Sequence, residues 1–132
     1  MKRKIMAVTL TAAMLAGLAA VPVWADDTGS DEGKVLNIYC WNEEFKSRLT
    51  DHYPGYEEVD GTHGKIGDVD VVWNITPSDD NAYQNNLDET LLKQADASAD
   101  DKIDLFLVEA DYALKYVNTD YTMPVADLGI TE

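Results

Sequence analysis

The chain has 132 residues and a formal net charge of −15 at pH 7, because 25 acidic side chains outnumber 10 lysines and arginines. A surface this acidic repels nucleic acids and anionic lipids, so both classes of partner are excluded. The single cysteine, Cys40, excludes an intramolecular disulfide, and its apolar surroundings predict a buried, inert thiol.

The first 25 residues have the pattern of a secretory signal. Three basic residues, 2–4, precede an apolar run from Ile5 to Ala20. Pro22 then breaks the helix, and Val23-Trp24-Ala25 offers small residues at the two positions that a signal peptidase recognises. We therefore predict export with cleavage after Ala25, and an uncleaved membrane anchor is the alternative.

Cleavage at this point leaves 107 residues with a net charge of −18, starting at Asp26. The stretch Leu15-Ala16-Gly17 is followed by leucine, where a bacterial lipoprotein has its lipid-accepting cysteine, so no lipid anchor is predicted. We expect a secreted protein, extracellular or at the cell surface. Residues 26–34 are predicted to form a flexible acidic leader, and residues 35–132 the folded domain.

The folded domain is predicted to begin with the strand Val35–Trp41, which is rich in β-branched and aromatic residues. Asn42 is a suitable N-cap for the helix that follows, and Pro54-Gly55 ends that helix. Glu44 and Arg48 form a supporting i,i+4 pair. The apolar face of the helix is predicted to consist of Phe45, Leu49 and Tyr53.

Three glycines lie between Tyr56 and Gly67, and this segment is predicted to be a loop or a short hairpin. The second strand is predicted at Val69–Ile75. A second helix is predicted from about Asp79 into the stretch 95–99. Its buried face is predicted to consist of Tyr83, Leu87 and Leu91.

The apolar run Ile103–Val108 predicts a third strand that is covered on both faces. Asp111 is positioned to cap a third helix through about Val117, and Thr119–Glu132 is irregular. Strands alternating with helices predict an α/β fold, a three-layer βαβαβα domain with a parallel sheet in spatial order 2-1-3 and the first two helices on opposite faces. Three strands are few for such a sheet, so we interpret the chain as the first piece of a larger α/β protein.

Ligands of open α/β sheets bind beyond the carboxyl ends of the strands. Three segments lie there: Trp41–Glu44, Asn74–Ser78 and Glu109–Tyr112. Their aromatic rings, amides and carboxylates suit a sugar, whose apolar face stacks on rings while its hydroxyls form hydrogen bonds. The alternative is that Asn42 and Asp111 only cap helices and that Trp41 belongs to the core.

Other chemistries are less well supported by the sequence. Paired carboxylates are typical of glycoside hydrolases, but a chain with this many acids brings two together by chance. The segment Asp96–Leu107 departs from a calcium loop at its sixth and twelfth positions. His52 and His63 lack a zinc spacing. We therefore predict no catalytic residue, no metal and no cofactor.

The stretches Trp41–Phe45 and Glu109–Tyr116, together with the signal, resemble the N-terminal lobe of extracellular solute-binding proteins. These are the sugar-type family that serves ABC importers in Firmicutes, and the resemblance covers nearly all of the exported chain. It implies a type II periplasmic-binding-protein-like fold, in which two lobes close on the ligand about a hinge. It also implies a small sugar or oligosaccharide as ligand, the ABC transporter permease subunits as partners, and no enzymatic activity.

In that family the loops after the first and third strands line the cleft. We therefore predict a ligand site formed by Trp41, Asn42, Glu43, Glu109, Asp111 and Tyr112. Because relatives continue into hinge strands and a second lobe, the chain is expected to be a truncated first lobe that binds sugars weakly by itself. The alternatives are a short secreted α/β interaction domain, a non-functional gene fragment, and a fragment of a glycoside hydrolase.

Overall fold

The computed structural model describes residues 33–130. The predicted signal peptide, most of the predicted acidic leader and the last two residues lie outside this part. No helix within residues 33–130 has the length and apolarity needed to cross a membrane.

A mixed five-stranded sheet forms the centre of the described chain, in the order β2-β3-β4-β1-β5. The strands are β1 Val35–Cys40, β2 Tyr56–Glu58, β3 His63–Ile66, β4 Val69–Ile75 and β5 Leu105–Phe106. β1 lies parallel to both β4 and β5, whereas β2, β3 and β4 pair antiparallel. The predicted α/β class and the 2-1-3 order of the three predicted strands are confirmed.

The prediction of a purely parallel three-layer βαβαβα domain is wrong, because the hairpin β2–β3 extends the sheet beyond β4. Ile66 pairs with Val69, so only two residues connect β3 to β4. Gly67, the first of them, has a φ of +60°, a conformation that glycine adopts without steric cost. A two-residue connection of this kind forces the flanking strands to run antiparallel.

Two helices cover opposite faces of the sheet, as predicted. Helix α1, Glu44–His52, packs Phe45 and Leu49 against the face that carries Ile38 and Trp73. Helix α2, Ala82–Leu91, packs on the other face against Tyr39 and Phe106. The residues that α2 buries are the three predicted ones, Tyr83, Leu87 and Leu91.

Tyr53 departs from the prediction for the first helix. It follows the last turn of α1 with an extended backbone, and its side chain is 51% exposed. The buried residue of α1 is instead Lys46, whose ammonium donates a 2.6 Å hydrogen bond to the carbonyl of Gly61 in the hairpin loop. The carboxylate of Glu58 lies 3.6 Å from the same ammonium.

The second helix is shorter than predicted at both ends. Asp80 and Asn81 have left-handed backbone conformations, so regular helix begins only at Ala82. After Leu91 the chain continues through short 3-10 turns rather than through a helix that reaches residue 99.

The predicted third strand shortens to Leu105–Phe106 because a side chain takes the hydrogen bonds of Ile103. The amide of Gln94 accepts from the Ile103 N–H at 2.9 Å and donates to the Ile103 carbonyl at 2.8 Å. The predicted third helix is wrong, since only one 3-10 turn, Ala113–Lys115, forms there. Tyr112, not Asp111, precedes that turn, and the left-handed Asn118 stops it from lengthening.

Candidate functional site

Three chain segments meet at the carboxyl end of β1, where the sequence predicts a ligand site. The Thr76 N–H, after β4, donates to the carbonyl of Cys40 at 3.0 Å. The Leu107 N–H, after β5, donates to the carbonyl of Tyr39 at 3.0 Å. The ends of the three parallel strands are therefore level with one another at this edge.

Tyr83 of α2 fixes this edge from the side. Its buried hydroxyl lies 2.7 Å from the carbonyl oxygen of Leu107 and 3.1 Å from that of Tyr39, and it donates to these acceptors. Burial raises the pKa of the Tyr83 phenol well above its usual value, so the proton stays in place at all physiological pH values. Tyr83 thus positions the starts of two segments at the site.

A pocket of about 200 Å³ opens at the end of β1. Its walls consist of Trp41, Asn42, Glu44, Phe45, Arg48 and Leu107. Of the six residues that the sequence predicts for the site, the structure brings Trp41 and Asn42 into this pocket. Glu43 lies between the lining residues Asn42 and Glu44 and is exposed.

Trp41 serves both the core and the pocket. Its ring packs edge-to-face on Tyr83, with centroids 5.5 Å apart and an interplanar angle of 73°. It remains partly exposed. Trp41 therefore packs on the core residue Tyr83 and is also among the residues that line the pocket.

Helix α1 begins at Glu44 and its N-cap is Glu43, so the predicted N-cap Asn42 lies one residue too early. The Asn42 Oδ1 atom accepts a 3.0 Å hydrogen bond from the Glu44 N–H, which satisfies one of the free donors of the first turn. The carboxylate of Glu44 in turn accepts a 2.8 Å ion-paired hydrogen bond from Arg48 Nη2. The predicted i,i+4 pair is confirmed, and it forms one polar wall of the pocket.

The predicted residues Glu109, Asp111 and Tyr112 do not line this pocket, although Leu107, which directly follows β5, does. Glu109 and Asp111 are exposed, and Tyr112 is half-buried. The Tyr112 ring packs edge-to-face on Tyr116 at 6.4 Å, on the α2 side of the sheet. Burial raises the pKa of the Tyr112 phenol, and the charges of Glu109 and Asp111 raise it further. These three residues form a group of their own past β5 and do not line the pocket at Trp41.

Four residues that line the pocket are absent from the predicted site: Glu44, Phe45, Arg48 and Leu107. One signal in the sequence points to Glu44, because the first turn of a helix that directly follows a strand lies at that strand's end. Arg48 is the i,i+4 partner of Glu44 in the next turn. Phe45 packs edge-to-face on Trp73 at 6.2 Å. It therefore contributes both to the core and to the pocket wall.

Asn74 belongs to the predicted site segment Asn74–Ser78. It lies on β4, next to β1, and is paired with Tyr39 in the register of these two strands. Its amide nitrogen is buried and has no hydrogen-bond partner among residues 33–130. Among the same residues, no group of three or more His, Cys, Asp or Glu side chains is arranged to hold a metal ion.

The pocket combines two aromatic rings with an amide, a carboxylate and a guanidinium. Such a set can stack on an apolar ring face and can both donate hydrogen bonds to a ligand and accept them. In comparisons with known proteins, no protein-family model, no curated protein and no solved structure matches this chain.

Proposed function

We propose that this chain captures a small sugar or oligosaccharide outside the cell for an ABC importer. In this proposal it is the first lobe of a type II periplasmic-binding-protein-like fold. It delivers the sugar to permease subunits, binds it without catalysis, and has no lipid anchor. The 2-1-3 order of the parallel strands and the position of the pocket at their carboxyl ends support this architecture.

One observation carries the proposal: the pocket places Trp41 and Phe45 beside the Glu44–Arg48 ion pair. Sugar rings have an apolar face that stacks on aromatic residues, and their hydroxyls both donate and accept hydrogen bonds. Glu44 supplies acceptor oxygens, and Arg48 supplies several fixed N–H donors. The pocket is thus chemically complementary to a neutral sugar.

The size of the pocket supports a lobe that works with a second surface. Its volume of about 200 Å³ is below the roughly 300–1,000 Å³ of sites that bury most of a small ligand. We therefore expect this lobe to contact one side of the sugar. Affinity for this chain alone is expected to be weak, with a Kd of about 1 mM or higher.

The test is an NMR titration of the chain with maltose, cellobiose and xylobiose as neutral probes. We expect at least one disaccharide to shift the Trp41 indole N–H, the Leu107 amide and the Arg48 guanidinium signals. Arg48→Gln removes donors from the pocket wall and should weaken binding about fivefold, which corresponds to about 1 kcal/mol.

Lys93→Gln is the matched control, because it removes one positive charge from an exposed site outside the pocket. It should leave the titration unchanged. Equal weakening by both variants, or sugars that leave the Trp41, Leu107 and Arg48 signals in place, would show that this pocket is not a sugar site.

A further inference from the structure

The loop between β2 and β3 contains Asp60-Gly61, the dipeptide in which an aspartate most readily forms a ring with its own main chain. In that reaction the nitrogen of the following residue attacks the side-chain carboxyl carbon. Glycine in the following position favours ring closure, because its backbone is flexible and no side chain hinders the attack. The 132 residues contain no other Asp-Gly pair and no Asn-Gly pair, so this reactivity is concentrated in one loop.

The attacking group, the nitrogen of Gly61, is not restrained. The Gly61 N–H has no hydrogen bond among residues 33–130. A side chain built at Gly61 would meet no atom within 4 Å, so no neighbour blocks the approach. Restraint on the reaction therefore has to come from the Asp60 carboxyl group, the group that is attacked.

Four donors hold one oxygen of that group, Asp60 Oδ1. The Thr62 and His63 N–H groups donate to it at 2.8 Å, and His63 Nδ1 and the Thr62 hydroxyl lie 2.9 Å and 3.2 Å away. The hydrogen bonds from the Thr62 N–H and the His63 side chain lower the pKa of Asp60 to about 2. A carboxylate is attacked more slowly than a carboxylic acid, because its oxygen leaves only after protonation. The folded turn therefore opposes ring closure.

We propose that Asp60 is a latent isomerisation site, at which the Gly61 nitrogen attacks the Asp60 carboxyl carbon once the hydrogen bonds from Thr62 and His63 open. The new carbon–nitrogen bond closes a five-membered succinimide. One carboxyl oxygen leaves as water with the carboxyl proton and the Gly61 amide proton. Water then adds to the main-chain carbonyl carbon of Asp60 and breaks its bond to the Gly61 nitrogen, which regains a proton. The product is isoaspartate, which has the same mass as the parent chain.

Isoaspartate at this position is incompatible with the observed turn. The chain between residues 60 and 61 becomes one carbon atom longer, and the free carboxylate now occupies the former main-chain position. Thr62 and His63 lose their common acceptor, and the Gly61 carbonyl moves relative to the Lys46 ammonium that donates to it at 2.6 Å. The hairpin is therefore expected to loosen. All of these contacts lie within residues 46–63, apart from the pocket at Trp41.

The test compares the folded chain with the chain unfolded in guanidinium chloride, both at pH 6 in water enriched in oxygen-18. Peptide mapping by liquid chromatography and mass spectrometry separates isoaspartate from aspartate by retention. Opening of the succinimide also introduces one heavy oxygen atom from the solvent, which marks the reacted chains. We expect isoaspartate at residue 60 to form at least about tenfold faster in the unfolded chain, because the reaction then no longer waits for local opening.

Three variants locate the restraint. His63→Phe removes a side-chain donor and should speed the reaction at least about threefold in the folded chain, the effect of one hydrogen bond of modest strength. Its rate in the unfolded chain should equal that of the parent. His52→Phe, at an exposed position of α1, is the matched control and should change neither rate. Gly61→Ala should slow the reaction in both states, and it is compatible with the fold because Gly61 has open space and no positive φ.

Three outcomes would overturn the proposal. Equal rates in the folded and the unfolded parent would show that the turn does not restrain Asp60. An absence of heavy oxygen at residue 60 in the unfolded chain would show that Asp60 does not isomerise. A folded-state rate that His63→Phe leaves unchanged, or that His52→Phe raises equally, would show that the His63 contact is not part of the restraint. Failure of the disaccharide titration would leave these results unaffected, since it reports on different residues.

Discussion

The buried side chain of Tyr83 links the core to the candidate site. Its hydroxyl connects α2 to the carbonyls of Leu107 and Tyr39, each two residues before a predicted segment of the candidate site. Its ring also supports Trp41 edge-on. A change at this hydroxyl therefore acts on both the stability of the fold and the geometry of the pocket.

We expect Tyr83→Phe to lower the free energy of unfolding by about 1–3 kcal/mol, because the Leu107 carbonyl oxygen loses the hydroxyl donor and the Tyr39 carbonyl oxygen keeps only the Leu107 N–H. Urea unfolding followed by tryptophan fluorescence measures this. Tyr53→Phe is the matched control, since the half-exposed Tyr53 hydroxyl has no hydrogen bond among the described residues. A loss no larger than that of Tyr53→Phe would contradict the role given to Tyr83.

The sequence predicts where the pocket lies in the sheet better than it predicts which residues line the pocket. Trp41 and Asn42 follow β1 directly, so their position at the strand end was predictable. Glu109, Asp111 and Tyr112 also follow a parallel strand, yet Tyr112 turns toward Tyr116 and the α2 face. The direction of a loop depends on its tertiary packing, and this packing cannot be predicted from the residues of the loop alone.

The Lys46 side chain connects helix α1 to the hairpin formed by β2 and β3. It is 9% exposed, and its ammonium reaches the Gly61 carbonyl and the carboxylate of Glu58. The hairpin has further contacts from Tyr56, whose hydroxyl accepts a 3.0 Å hydrogen bond from the Trp73 indole. The Tyr56 ring lies so close over Gly64 that any side chain at Gly64 would overlap it.

Lys46→Met keeps the buried stem and removes the hydrogen-bonding ammonium. We expect the free energy of unfolding to fall by about 1.5–3 kcal/mol, the range for a hydrogen bond to a charged group. Hydrogen exchange should quicken at hairpin amides such as that of Gly64. Lys93→Met, at an exposed position, is the control. Equal stability of the two variants would mean that the Lys46 ammonium does not help to hold the hairpin.

The turn between β2 and β3 depends on Asp60. Its carboxylate accepts hydrogen bonds from the Thr62 and His63 N–H groups at 2.8 Å and lies 2.9 Å from His63 Nδ1. The Thr62 hydrogen bond, followed by that of the His63 side chain, lowers the pKa of Asp60 to about 2. A carboxylate with a lowered folded-state pKa stabilises the fold above its unfolded value of about 3.9. That contribution disappears as the pH falls toward 2.

Asp60→Asn should therefore be less stable than the parent chain at pH 6, and the difference should shrink steadily below about pH 4. Urea unfolding at pH 6, 4 and 3 measures it. Asp68→Asn, in the neighbouring turn, removes an equal charge that has no side-chain hydrogen bond among the described residues. A difference for Asp60→Asn that does not shrink with acid, or that is no larger than for Asp68→Asn, would contradict the prediction.

Elements with strong periodicity were predictable, and those decided by single contacts were not. Strand β4 and the buried face of α2 agree with their sequence patterns. The sequence of Tyr56–Gly67 is compatible with either a loop or a short hairpin, and the structure shows a hairpin that joins the sheet. The failed third helix is only a few residues long before Asn118, which is too short for a stable helix nucleus.

Charge is the dominant property at the scale of the whole molecule. After the predicted cleavage the chain has a net charge of −18 and its single cysteine is a free, buried thiol. Stability is a small difference between burial and chain entropy, so like-charge repulsion removes a substantial part of it. Two acids worsen this locally, because Asp51 and Glu89 lie in the last turns of α1 and α2, where the helix dipole disfavours negative charge.

We therefore expect sodium chloride to raise the thermal midpoint, because 1 M salt shortens the screening length to about 3 Å from about 30 Å at 0.01 M. Differential scanning calorimetry across this range measures the effect. The double variant Asp51→Asn, Glu89→Gln should unfold at a higher temperature than the parent at low salt and should gain less from added salt. A midpoint well above the usual range of about 45–65 °C for such domains that does not respond to salt would show that repulsion does not limit this fold. An equal salt response in parent and double variant would mean instead that salt acts on apolar burial rather than on these charges.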